Sequence, residues 1–381
     1  MPPFRGAFLM MNLSYWERNG WLANVDFTIV GSGIVGLSCA LELRKQYPKA
    51  KIIVIEKGMF PQGASTKNAG FACFGSLSEI LEDLNHHTEE EVLQLIRQRL
   101  DGLKLLRETL GDKTIDYKPF GGYELFMKKD QEVFEQCMTQ MSYVNRLLKP
   151  VVQNDVFLEK NDSFQFGSII PKLSFNALEG QIDTGKMMKA LLKKAVEEDV
   201  LVINNCQLIK FTEELNNVHL LTHQFEFKTQ YLMIATNGFA RQLLDCEVSP
   251  ARAQVLITNP IPNLRIKGSF HLDRGYYYFR DIDNRILFGG GRNLDFQGEE
   301  TTKFGETEII QNRLEHLLKQ VILPSEDFFI EQRWSGIMGV GTQKKPIVKP
   351  VGNRVFCGVR LGGMGVAIGS TVGRNLACLV S

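Results

Sequence analysis

Apolar positions along the chain alternate between strand-like and helix-like patterns. Residues 26–30 (DFTIV) and 52–56 (IIVIE) are short runs rich in β-branched residues. Each reads as a strand buried in a parallel sheet. Between them, apolar residues recur at helical spacing from Ile34 to Gln46 and stop before Pro48, which predicts a helix. A Gly-rich, small-residue segment at 63–75 breaks the pattern. Two long amphipathic stretches follow, at about 88–110 and 130–149. Thr88 with Glu89, Glu90 and Glu91 supplies an N-cap and an acidic first turn for the first of them. Both stretches interrupt the α/β alternation, so they are expected in a second lobe.

A further helix is predicted from Asp183 to about residue 198, then a strand at 201–204 and a polar hairpin turning at Asn216-Asn217. Residues 231–235 form another buried run. Segments 252–258, 275–280 and 285–289 read as antiparallel strands, with turns at Pro260-Ile261-Pro262 and Asp283-Asn284. A helix at about 305–320 follows. A short strand at 354–359 then enters the Gly-rich stretch 362–373. There is no internal repeat. The mixed order predicts an α/β (α+β) fold of two lobes, each discontinuous in sequence.

Composition narrows the picture by exclusion. With 381 residues, 44% of them hydrophobic, the chain has material for two to three domains and a large core. Lys and Arg number 44 against 43 Asp and Glu, so no net charge draws it to nucleic acid. The seven cysteines are scattered, form no C-x-x-C pair, and fit packing in a reducing compartment. The early apolar run 7–11 is too short for a signal peptide, and Met10 and Met11 leave the start codon open. No apolar stretch approaches the ~20 residues of a membrane span. A cytoplasmic location is expected.

The most informative segment is Val30-Gly31-Ser32-Gly33-Ile34-Val35-Gly36, set between the first strand and the first helix. Gly31 permits a sharp turn, Gly33 a close approach to a pyrophosphate, and Gly36 tight helix packing. The helix N-terminus then offers free N–H groups and a positive dipole end. Glu56 closes the next strand 20 residues beyond Gly36, followed by Lys57. A carboxylate there accepts from the adenosine ribose and repels a 2′-phosphate. Strand, helix, second strand and acid in register predict a dinucleotide site. Three glycines here are expected to lack a packing reason unless a ligand lies above them.

This fingerprint does not separate FAD from NAD. No second unit of the kind follows, which argues against an enzyme binding both. A second Gly-rich strand-to-helix turn does occur, through Gly362, Gly363, Met364, Gly365 and Val366. Its helix N-terminus suits the negative charge that gathers at N1 and O2 of a reduced flavin. Together these features select FAD.

In these blocks the chain resembles the D-amino-acid-oxidase-like (DAO) family of FAD-dependent oxidoreductases, which includes glycine oxidase, sarcosine oxidase and gamma-glutamylputrescine oxidase. Ser14-Tyr15-Trp16-Glu17 before the fingerprint resembles the putrescine-derivative oxidases. Gly63-Ala64-Ser65-Thr66-Lys67-Asn68-Ala69-Gly70 is similar to the family's second flavin loop. Gly180-Gln181-Ile182-Asp183 resembles its return to the cofactor domain, and Leu208 matches a backbone contact to adenine. Ala235-Thr236-Asn237-Gly238 and Arg333-Trp334-Ser335-Gly336 resemble flavin-facing strand segments. The resemblance implies a Rossmann-type FAD-binding domain, 20–85, 176–250 and 331–381. It also implies a discontinuous antiparallel-sheet substrate domain, 86–175 and 251–330. FAD is expected to be held without a covalent link, since no Cys lies at 335–338. The implied chemistry is oxidation of a C–N bond of a small amine or amino acid, with hydride passing to flavin N5 and O2 as final acceptor.

The sequence also departs from the family. Relatives that oxidise amino acids place a carboxylate-binding arginine just after the W-x-G block; here the place reads Ile337-Met338-Gly339. That favours an amine or a modified amino acid. Where sarcosine oxidase has an oxygen-activating lysine, the matching strand presents Leu287, so a dehydrogenase serving a quinone or carrier stays open. A non-catalytic flavin-binding protein is a third reading. Lys67 is either a substitute cation or a solvated loop lysine. Period-two geometry puts Tyr276, Tyr278 and Arg280 on one strand face. Tyr276 best matches the family's substrate tyrosine, with Tyr278 as second candidate. Arg360 is either a ligand for an acidic substrate group or part of a surface ion pair. His219 and His223 read as exposed strand residues rather than metal ligands, and His86-His87 as loop. An RNA-modifying role is disfavoured by the near-neutral charge.

Overall fold

The computed structural model describes residues 12–380; the apolar run 7–11 and both candidate start methionines lie outside them. Among the described residues there are seven α-helices: α1 (Ile34–Gln46), α2 (Leu77–His86), α3 (Glu89–Leu110), α4 (Gln131–Leu148), α5 (Thr184–Glu197), α6 (Glu308–Leu317) and α7 (Gly365–Ala377). Two eight-stranded sheets carry the architecture.

The first sheet runs Ile347–Pro350, Val355–Val359, Glu226–Ile234, Val25–Val30, Ile52–Ile55 and Leu201–Ile203. Its central pairs are parallel. The hairpin Leu208–Glu213 and Val218–Thr222 extends it beside Glu226–Ile234. One face packs on α1, α3, α5 and α7 through Leu37, Leu103, Leu191 and Val372. The other face is sealed by the hairpin, with Val218, Leu220 and Phe227 over Ile53, Ile55 and Leu232. Burial on both faces explains why these strands read as unbroken apolar runs.

The second sheet runs Ile330–Val340, Ser249–Thr258, Arg285–Gly290, Tyr277–Ile282, Ser269–Leu272, Gly122–Leu125, Lys172–Asn176 and Phe157–Asn161. It is antiparallel except where Ser269–Leu272 meets Gly122–Leu125. The predicted turn Asp283-Asn284 joins two of its strands, both residues having positive φ, as a tight hairpin requires. One face packs Phe270, Phe279 and Phe288 against α6. The opposite face looks onto the first lobe.

Several expectations are corrected. The helix α2 was not anticipated; Ser76 and Glu79 form its capping box, and His86 is its last residue rather than loop. The stretch 88–110 folds as α3 but packs on α7: a Cβ at Gly102 would lie 2.0 Å from the Ala367 carbonyl. Its C-terminal half, through Leu103 and Leu106, shares the core of the parallel sheet, while Val92 and Ile96 in its N-terminal half pack with α2 and α4. Residues 331–340 pair with Ser249–Thr258 along their whole length, so this part of 331–381 belongs to the antiparallel sheet. Tyr276 lies in the turn before Tyr277–Ile282, not in the strand. Within the strand the alternation holds, with Tyr277 and Phe279 in the core. Among the described residues no helix is long and apolar enough to cross a membrane. Cys39, Cys73, Cys137, Cys206 and Cys357 are buried.

Candidate active site

The Gly-rich loop leaves the strand Val25–Val30 at Gly31, whose φ of +104° only glycine adopts readily. Each fingerprint glycine also has a neighbour that forbids a side chain. A Cβ at Gly31 would lie 2.9 Å from the Ala235 carbonyl, at Gly33 2.7 Å from Ser65 Oγ, and at Gly36 1.9 Å from the Gly31 carbonyl. The expectation that they lack a packing reason without ligand is thus overturned: the loop is built as tightly as it could be before any cofactor enters. Ile34 N–H, in the first turn of α1, donates to Ser65 Oγ at 3.0 Å. Glu56 is buried and accepts from Ser32 N–H and Ser32 Oγ, each at 3.0 Å, and from Gly58 N–H at 3.1 Å. Lys57 stands beside it with Nζ 3.1 Å from the Phe239 ring centroid.

The loop Ala64–Thr66 and its continuation are held from both lobes. Asn68 Nδ2 donates to the Ser65 carbonyl at 2.8 Å, while its Oδ1 accepts from Gly70 N–H and Thr184 Oγ1. Trp334 Nε1 donates to the Lys67 carbonyl at 3.0 Å. A Cβ at Gly336 would lie 2.8 Å from Lys67 Cβ. Arg280 Nη1 donates to the carbonyls of Gly70 at 3.1 Å and Ile182 at 2.6 Å. Arg280 was expected on the face of Tyr278; that it pins the flavin-type loop to the roof was not legible.

The end of the strand Glu226–Ile234 is joined to the C-terminal turn by Asn237. Its Oδ1 accepts from Arg360 N–H at 3.0 Å and Leu361 N–H at 3.2 Å. A Cβ at the adjacent Gly238 would lie 2.5 Å from the Met338 carbonyl, so this junction is close-packed too. Arg360, with φ of +65°, is itself buried, but it makes the ion pair that was one of its two readings, with Glu247 at the surface. Its guanidinium is directed to the Lys345 carbonyl at 3.0 Å and to the Glu247 carboxylate at 3.5 Å. The turn Gly362-Gly363-Met364 opens α7, whose first turn has no side-chain cap. The N-termini of α1 and α7 therefore approach one cavity, with Gly373 packed against the Val35 carbonyl between the helices.

That cavity has a volume of about 790 Å³. It is lined by Glu56, Lys57 and Leu208, by Gly31, Gly33, Ala64, Ser65, Lys67 and Ala69, and by Gly363 to Val366. Beyond these it opens under the second sheet. There Trp334, Val255, Gly289, Tyr278, His271 and Glu124 lie in one row, each opposite the next on neighbouring strands. Directly opposed residues share a face, and Val255, Tyr278 and His271 of this row line the cavity as its roof. The Tyr278 ring lies across Gly289, where a Cβ would sit 2.8 Å from it. Burial raises its phenol pKa to about 12. Phe71 meets the rings of Tyr278 and His271 edge-on. Tyr276 also reaches the cavity from its turn. Leu287 is buried against Ala69 and Val255.

The sequence reading missed His271. Its Nε2 lies 3.2 Å from Glu179 Oε2, both groups buried, and the Cys73 thiol completes a cluster within 4.8 Å. Burial alone would lower the imidazole, but the carboxylates of Glu179, Glu79 and Glu124 prevail and raise its pKa to about 9. His219 pairs instead with Glu226 at 3.3 Å on the hairpin, and His223 Nδ1 accepts from Gln207 N–H at 3.2 Å.

A cavity that takes in two helix N-termini and a buried acid defines a dinucleotide-binding protein. The DAO family, described as FAD dependent oxidoreductase, matches residues 26–379, and the chain belongs to it. It is similar to the probable oxidoreductase OrdL of Haemophilus influenzae, at 20% identity over 93% of this chain and 83% of that one. Among solved structures, glycine oxidase from Geobacillus kaustophilus superimposes with a TM-score of 0.74 at 17% identity, covering 94% of each chain. L-proline dehydrogenase from P. horikoshii superimposes at 0.72 with 18% identity, covering 94% of this chain and 93% of that one. These likenesses establish the fold. The family's cofactor is FAD, and the cavity suits it. Thr236 Oγ1 is buried there without a hydrogen-bond partner. A Cβ at Gly63 or Gly362 would project into open space on the cavity wall.

Proposed function

We propose that this oxidoreductase oxidises a C–N bond of a small amine or amino acid. The observation that carries the reading is the roof: one cavity takes in both Gly-rich turns and, from the second sheet, Val255, Tyr278 and His271, with Phe71 and Met364 also on its wall. Bound FAD supplies the hydride acceptor. The α1 N-terminus with Gly31, Ser32, Gly33, Ile34, Val35 and Gly36 would hold the pyrophosphate, Glu56 and Lys57 the adenosine ribose end, and Leu208 the adenine. Residues Ala64 through Gly70 would lie along the isoalloxazine, backed by Trp334 and Gly336. Thr236, Asn237 and Gly238, with Gly362, Gly363, Met364, Gly365 and Val366, would face its pyrimidine end. We assign this cofactor domain to 20–85, 176–250 and 341–381, with α3. The remainder forms the roof.

Tyr276 and Tyr278 would orient the amine. The substrate loses a hydride and a proton to become an imine, which water hydrolyses to a carbonyl compound and an amine. Reoxidation by O2 yields H2O2. Lys67 is the cation available in the loop to assist it. A dehydrogenase serving another acceptor is the second reading, favoured by Leu287 at the place of an oxygen-activating lysine. The fold does not separate the two, since both an oxidase and a dehydrogenase share it. Mixing the FAD-loaded protein with an amine that reduces it, in air, separates them: one H2O2 per turnover supports the oxidase, and reduced flavin that persists in air supports the dehydrogenase. We place the protein in the cytoplasm, on the strength of its seven scattered cysteines.

A further inference from the structure

Among the described residues four arginines are buried: Arg99, Arg252, Arg280 and Arg360. A buried guanidinium is costly unless its N–H groups and its charge are answered. Three are answered. Arg252 forks onto Glu299 at 2.9 and 2.7 Å. Arg280 donates to the carbonyls of Asp281, Ala69, Gly70 and Ile182. Arg360 meets the Lys345 carbonyl and Glu247.

Arg99 differs. Its Nη1 donates to the Phe74 carbonyl at 2.7 Å. Its Nε is fully buried with no partner. Glu79 and Asp83 lend it charge from a distance, but both are engaged elsewhere. Glu79 accepts from Ser76 N–H at 3.0 Å in the α2 capping box, and Asp83 pairs with Lys344. Arg99 nevertheless lines the cavity. It stands one turn before Gly102, where α3 crosses α7 against the Ala367 carbonyl, and this crossing fixes it beside the start of α7. The other buried cation on the chamber wall, His271, already has Glu179.

We infer that Arg99 recognises a carboxylate on the amine substrate, and so does the work of the arginine that is missing at 337–339. The fork of a guanidinium matches a carboxylate, and a carboxylate in the cavity would supply the close charge partner that Arg99 has from no side chain among the described residues. The inference rests on the C–N oxidation reading and narrows it: the donor carries an acid group, as an amino acid or N-substituted amino acid does.

The test titrates the FAD-loaded protein with benzoate and with its uncharged analogue benzamide, following perturbation of the flavin absorbance. Benzoate is expected to bind at least about tenfold more tightly. Arg99→Met should weaken benzoate by about 10- to 100-fold and leave benzamide unchanged. Equal binding of the two ligands by the unaltered protein, or an undiminished benzoate affinity in Arg99→Met, overturns the inference. If Arg99→Met does not retain FAD, Arg99→Lys decides: loss for benzoate alone supports the role, and equal loss for both ligands overturns it. A lowered flavin potential with unchanged benzoate binding assigns Arg99 to the cofactor instead and also overturns it. Anaerobic reduction by matched amino acids and decarboxylated amines keeps the two readings apart. Reduction by the amines alone removes the carboxylate role and leaves C–N oxidation standing. If neither class reduces the flavin, the reaction reading fails while the benzoate titration still decides Arg99.

Discussion

His271 provides a pH-dependent test of how the chamber is held. Its pKa, raised from 6.5 to about 9 by the buried carboxylates around it, corresponds to roughly 3 kcal/mol of preference for the charged form in the folded state. Because the folded value lies above the unfolded one, this stabilisation is fully present below about pH 6.5. It is lost as the pH rises through about 9. Replacing the side chain by His271→Gln removes the charge and leaves Glu179, 1% exposed, without its cation. For a chain of 381 residues, roughly 3 kcal/mol corresponds to a shift in Tm of about 4 °C. The assay is thermal unfolding of the FAD-loaded protein and of the variant from pH 6 to pH 10. Below about pH 6.5 the variant should melt lower by about that amount, and the gap should close by about pH 9 to 10. Other titrating groups move both proteins together, so the difference isolates His271. Parallel curves across the whole range would refute the pairing as the source of stability.

Three further outcomes follow from close contacts. Gly36→Ala places a methyl 1.9 Å from the Gly31 carbonyl, so the purified variant should retain little FAD, read as the ratio of flavin to protein absorbance. Asn237→Ala strands the N–H groups of Arg360 and Leu361; a loss of about 2 kcal/mol should appear as a lower Tm and faster FAD release, and unaltered values would count against the junction. Gly289→Ala pushes on the Tyr278 ring at 2.8 Å; amine-dependent reduction should slow while FAD content stays normal, whereas unchanged reduction kinetics would remove Tyr278 from the substrate chamber.

Local signals carried much of the fold. The helix α1 was bounded by its apolar spacing and Pro48, and the fingerprint with Glu56 is contained in one strand–helix–strand unit. The helix α2 carried a readable Ser76-x-x-Glu79 signal, but its ten residues sit between a Gly-rich segment and a stronger cap at Thr88. Tyr276 was drawn into a strand because the alternation of aromatics continues through the turn. The chamber wall was not legible for a different reason. His271 and Glu179 are 92 residues apart, and neither stands in a motif; Glu179 reaches His271 from the link between the strands Lys172–Asn176 and Gly180–Gln181. Arg99 reads as one of many charged positions on an amphipathic helix until the crossing of α3 over α7 buries it. Placing residues 331–340 likewise required the long antiparallel pairing that the sequence does not announce.

The central claim is tested most directly by loading the purified protein with FAD and recording its visible spectrum during anaerobic addition of amines and amino acids. The account predicts a flavin band that bleaches with at least one such donor and returns when an acceptor is admitted. A protein that cannot be loaded with FAD, or a band that no amine or amino acid bleaches, would contradict it.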